Sequence, residues 1–144
     1  MRSTPWHFWP LVALAFVWHL VGVIDYTAIQ MEWGPWMALL SARQETFVDV
    51  MPAWVDAAWA ISAWIGLLGV LLMAATAGIS PLILFVSAVA TCVVAIWLGI
   101  FSNPSMGQLG GVTGIVILLG AVVFTVLLWL YARQRRREAV VGHR

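Results

Sequence analysis

Two carboxylates, one histidine and several tryptophans sit inside or beside long apolar runs, and these residues are the ones equipped for chemistry. Asp25 and Asp56 each lie within an apolar run, near its end. An ionisable side chain at membrane depth is costly to hold, so it marks a proton, cation or ligand position unless a local reason retains it. Asp56 has such a reason: it falls in the first turn of its run, where the helix dipole favours an acid. Asp25 has none. His19 lies near the middle of the first run and shares a helical face with Gly22 and Tyr26, at i, i+3 and i+7. Gly22 lets a neighbouring helix or a ligand come close. A lone imidazole there is expected to hydrogen-bond to a nearby polar group or carbonyl. Trp54 and Trp59 fall beside the same carboxylates, where aromatic faces can bind organic cations or stack on sugars. The candidate ligand- or proton-binding set is therefore Asp25, His19, Tyr26, Asp56, Arg43, Trp54 and Trp59.

Other chemistries are excluded by what is missing. Cys92 is the only cysteine, so no internal disulfide or thiol relay can form. His7 and His143 lie outside the apolar runs, so one chain cannot offer haem two axial histidines inside the membrane. No CxxCH, HExxH or clustered His/Asp spacing exists. The sequence thus predicts no catalytic residue, no metal ligand and no cofactor, and a protein that is not an enzyme.

The elements that must position these residues are helices. Of 144 residues, 63% are hydrophobic and 9% charged, against about 25% charged in a soluble domain. Four apolar runs, 10–30, 53–77, 82–101 and 109–131, each match the roughly 20 residues that cross a bilayer as a helix. The fold class is all-α, an integral membrane bundle of four transmembrane helices. One four-span domain, 1–132, uses most of the chain, and 133–144 forms a basic tail.

There are seven Arg and no Lys, and Arg133, Arg135, Arg136 and Arg137 follow the last run directly. The cluster reads first as a topology anchor, and anionic-lipid or nucleic-acid binding is its sharper use. With Arg2 before the first run, it puts both termini in the cytoplasm, and an even number of spans agrees. The Arg-only, Ala/Val/Trp-rich composition suits a GC-rich bacterium, and the expected location is then its inner membrane. Most of the ten Trp form an aromatic belt, with Trp6, Trp9 and Trp129 inside and Trp33, Trp36, Trp54 and Trp97 outside.

Ala58, Ser62 and Gly66 form a small-residue ridge on the second run, and Gly107, Gly110, Gly111 and Gly114 give overlapping GxxxG pairs on the fourth. Such ridges serve packing within the chain or a dimer face. The external segment 31–52 reads as an amphipathic helix from Trp36, with Trp36, Leu39, Leu40, Phe47, Val50 and Met51 on one face. Arg43 projects from that apolar face. It is the only arginine between Arg2 and Arg133, and it is expected to pair with Asp25 or Asp56 as a lid.

Trp18-His19-x-x-Gly22-x-x-Asp25-Tyr26-x-x-x-Gln30, followed by Pro52-x-Trp54-x-x-x-x-Trp59-x-x-x-x-Trp64-x-Gly66-x-x-Gly69, resembles a group of small, mostly uncharacterised bacterial four-helix inner-membrane proteins, some loosely labelled "sugar transporter". The resemblance covers the first two spans best and implies that they carry the distinctive site. In that group the position of Asp56 is often apolar, so the resemblance singles out Asp25.

These features predict a small polytopic membrane protein with an outer-leaflet carboxylate and aromatic site for a small ligand or proton, transporter-like or accessory. The alternative is a structural or assembly subunit of a larger membrane complex. A redox protein sharing haem or quinone between protomers ranks last. The expected partners are the lipid bilayer, a second copy or a larger complex, and a small-molecule ligand, with no nucleic acid.

Overall fold

A computed structural model describes residues 5–39 and 51–141 of the chain. Among the described residues, all regular structure is helical. Four helices are long and apolar enough to cross a bilayer: Phe8–Gln30, Ala53–Ala74, Ser80–Phe101 and Met106–Ala139. They are called the first to fourth spans below. The last continues as helix to Val141, so the basic stretch from Arg133 extends the same helix. Of the segment between the first two spans, the described part includes one short helix, Gly34–Met37. Residues 40–50, with Arg43 and most of the expected amphipathic helix, lie outside the described residues.

Prolines stand where helices begin. Pro10 lies in the first turn of the first span, Pro52 caps the second, and Pro81 starts the third. There the missing N–H has no intrahelical partner to lose. The first two spans end in the same way. After the first, Glu32 has φ 50°, its N–H bonds to Ile29, and the Trp33 N–H bonds to Ala28. After the second, Thr76 has φ 57°, its N–H bonds to Met73, and the Ala77 N–H bonds to Leu72. Both are Schellman motifs, in which a left-handed residue lets the last carbonyls find donors. This turn ends the second span at Ala74, short of the apolar run to Ala77, and the third span starts at Ser80.

The fourth span departs from expectation at the end away from the arginines. Gly111 is non-helical, with φ 57° and ψ −146°. A Cβ placed on Gly114 would sit 3.0 Å from the Met106 carbonyl oxygen. Eight residues of continuous helix would separate those positions by about 12 Å. The chain therefore folds back at Gly111 and lays Met106–Gly110 over the first turn of the span. The overlapping GxxxG pairs do not form one helical ridge. Gly111 supplies the reversal, and Gly114 admits the returning backbone.

All four spans pack together most closely at the end that carries the arginines. Phe8, Val12 and Ala15 of the first meet Val70 and Met73 of the second, Leu84 of the third, and Leu128 and Ala132 of the fourth. Outward faces carry exposed Leu14, Val17, Val21, Leu68, Leu71, Leu82, Val86, Val116, Leu119 and Val123. Apolar surface on every span is what a lipid-facing bundle requires.

Candidate functional site

The face of the first span that carries His19, Gly22 and Tyr26 lies along the second span, in steps that follow the antiparallel crossing. His19 packs on Gly66, Gly22 faces Ala63 at 3.8 Å from a built Cβ, and Tyr26 meets Trp59 edge-on with ring centroids 5.1 Å apart. The expected shared face exists, and Gly66 of the small-residue ridge serves packing within the chain.

His19 is buried at mid-span, and a Cβ on Gly66 would overlap its ring. The imidazole is hydrogen-bonded to the Ser62 backbone. The Ser87 hydroxyl, from the third span, donates to the Ser62 carbonyl at 2.8 Å. Ser62 lies in a π-helical turn, Ile61–Ile65. Such a turn disturbs the regular i to i−4 ladder and gives side chains access to backbone groups. Three spans therefore meet at one carbonyl. Nε2 of His19 is buried with no hydrogen-bond partner among the described residues.

About two helical turns further from the arginine end than His19, Asp56 is half-buried between the first two spans. It accepts a 2.6 Å hydrogen bond from the Gln30 side-chain amide and a 3.5 Å contact from the Tyr26 hydroxyl. Asp25, next to Tyr26 in sequence, belongs to a different group. Its Oδ1 accepts from the Trp36 indole N–H at 2.9 Å, and Trp36 stacks on Trp33 with an interplanar angle of 13°. Adjacent helical residues point about 100° apart, so Tyr26 faces Asp56 and Trp59 of the second span while Asp25 is turned away from them. Among the described residues the two carboxylates fall in separate hydrogen-bonded groups, each served by neutral donors.

Asp25 borders a cleft in the half of the bundle away from the arginines. This cleft of about 450 Å³ lies between the four spans and is lined by Asp25, Trp18, Trp59, Leu98, Met106 and Leu118, among others. The folded-back segment beyond Gly111 contributes Met106, Leu109 and Gly110 to it. Trp54 lies outside this arrangement and is 57% exposed. Trp97, expected in the outer aromatic belt, is instead buried, in the π-helical turn Trp97–Phe101 that ends the third span.

A carboxylate beside two indoles in an apolar cleft can hold an organic cation by charge and ring quadrupole, or take up a proton. Among the described residues one indole N–H bonds to Asp25, which leaves the carboxylate further acceptor capacity toward them. Among the described residues, no three His, Cys, Asp or Glu side chains gather as a metal site would need. Sequence reasoning did not single out Ser87 or the Trp36–Asp25 bond. Ser87 had a signal: with Thr91 it is one of two hydroxyls in the highly apolar run 82–101. No known protein family, characterised protein or solved structure matches the chain.

Proposed function

We propose that this protein is a small non-enzymatic protein of a bacterial inner membrane, with both termini cytoplasmic, and that it binds a small organic cation or a proton in its outer-half cleft at Asp25. The role is transporter-like or accessory. One observation carries the reading: Asp25, held by the Trp36 indole, borders an apolar cleft to which all four spans and the indoles of Trp18 and Trp59 contribute. A ligand there would touch every span, which is what coupling a bound charge to helix movement requires.

Tetraphenylphosphonium is a suitable probe, being a bulky apolar cation. Its binding to the purified protein, read by tryptophan quenching, should weaken at least about tenfold in Asp25→Asn. That is the order expected when about 1.4 kcal/mol of charge attraction is removed. Asp56→Asn should change it little, because Asp56 does not line the cleft. Equal binding by wild type and Asp25→Asn would remove the reading. A fixed protein partner co-purifying in that case would favour a structural subunit.

A further inference from the structure

A second cleft lies at the opposite, basic end of the bundle, about 460 Å³ in volume. Its floor is apolar: Phe8, Met73, Pro81 and Ala132. Its rim carries Arg135 and Arg136 of the fourth span and the Thr76–Gly78 turn between the second and third. Gly78 leaves the turn side open, with nothing within 4 Å of a built Cβ.

The two arginines are not equivalent to the rest of the cluster. Arg133 lies over the Trp129 ring at 5.8 Å, and neither it nor Arg137 lines the cleft. Arg135 is held in place from two sides. Its guanidinium lies 5.8 Å over the Phe8 ring, and its Nη1 bonds to Glu138 at 3.1 Å. Glu138 is in turn tied to the Gln134 amide at 3.1 Å. Arg135 Nε is buried without a hydrogen-bond partner among the described residues. A guanidinium has five N–H donors, and the one carboxylate here engages few of them. A planar fork with free donors over an apolar floor matches a phosphate oxygen pair attached to an alkyl chain.

We propose that this cleft binds one anionic phospholipid from the adjacent leaflet, its phosphate on Arg135 and Arg136 and an acyl chain along the apolar floor. Charge complementarity selects the headgroup, and the apolar floor distinguishes a lipid from a free anion. Basic pockets between membrane helices recognise anionic headgroups in this way. The site is independent of the outer cleft and of any ligand bound there.

The test is native mass spectrometry of delipidated protein titrated with dioleoylphosphatidylglycerol or dioleoylphosphatidylcholine. Wild type should retain one phosphatidylglycerol in preference to phosphatidylcholine. Arg135→Ala/Arg136→Ala should weaken that retention at least about tenfold, and Arg133→Ala/Arg137→Ala, which removes the same charge outside the cleft, about twofold or less. Ala139→Trp fills the exposed mouth of the cleft without altering charge or the core. It should also displace the lipid, and it keeps the test decisive if the double arginine variant does not fold. Equal loss in the two arginine pairs would reduce the effect to general surface charge and overturn the site. So would equal retention of phosphatidylcholine, or unchanged retention in Ala139→Trp. Displacement of the lipid by excess inorganic phosphate would make it a small-anion site instead and also overturn the proposal.

Discussion

The imidazole of His19 lies against Gly66, so close that a single methyl group on Gly66 would occupy the space of the ring. Ser87 Oγ would also lie 2.6 Å from that methyl carbon. The first, second and third spans are thus locked together at a position where only hydrogen fits. Gly66→Ala is expected to destabilise the bundle by about 1–3 kcal/mol, the usual range for overpacking. Gly120→Ala, where a Cβ meets nothing within 4 Å, should be neutral or stabilising by up to about 1 kcal/mol. Unfolding in mixed micelles, followed by circular dichroism, measures both. His19→Ala combined with Gly66→Ala should recover part of the loss, because the added methyl enters the vacated space, and the double-mutant cycle should show that coupling.

Asp56 is held unequally by its two donors, and the variants should rank accordingly. Gln30 donates at 2.6 Å, whereas the Tyr26 hydroxyl is at the 3.5 Å limit of a hydrogen bond. Gln30→Ala should lose about 0.5–1.5 kcal/mol and Tyr26→Phe less than about 0.5. Tyr26→Ala also removes the edge contact with Trp59, which adds about 0.5–1.5 kcal/mol to the loss before its packing area is counted. A Tyr26→Phe variant as unstable as Tyr26→Ala would show that the hydroxyl, not the ring, holds the two spans.

The two left-handed helix ends predict gains in stability. Glu32 and Thr76 have φ of 50° and 57°, and each occupies the position where glycine is favoured. A β-branched threonine is the less suited of the two to that conformation. Glu32→Gly and Thr76→Gly should each raise stability, by up to about 1 kcal/mol, through relief of Cβ crowding. Ala75→Gly, one residue earlier at φ −76°, should lower it or leave it unchanged. Thermal unfolding of the three variants in detergent provides the comparison.

Orientation in the membrane is predicted from Arg2 and the Arg133–Arg137 cluster. Alkaline phosphatase, active only outside the cytoplasm, should be inactive when fused to the C-terminus and active when inserted between Ser102 and Ser105. High activity at the C-terminus would reverse the topology, move the Asp25 cleft to the cytoplasmic half and place the Arg135 cleft in the opposite leaflet.

Much of the architecture is legible in the order of residues alone. Four apolar runs, each long enough to cross a bilayer, leave few folds besides four helices, because each span must satisfy its own backbone once water is absent. The shared face of His19, Gly22 and Tyr26 follows from helical periodicity, and the structure lays it along the second span. What the residue order does not determine is which face meets which neighbour at close range. Asp25 and Asp56 read as a pair because both lie near outer helix ends. Only the packed structure separates them, since helix rotation sends Asp56 to Gln30 and Tyr26, and Asp25 to Trp36 and the cleft. The glycines of the fourth span read as a continuous ridge because spacing assumes an unbroken helix. Gly111 breaks it, and a positive φ at one residue leaves no periodic trace. The Ser62 carbonyl that gathers His19 and Ser87 is invisible to any pattern of side chains, because a π-helical turn is a rearrangement of the backbone ladder that side-chain spacing does not record.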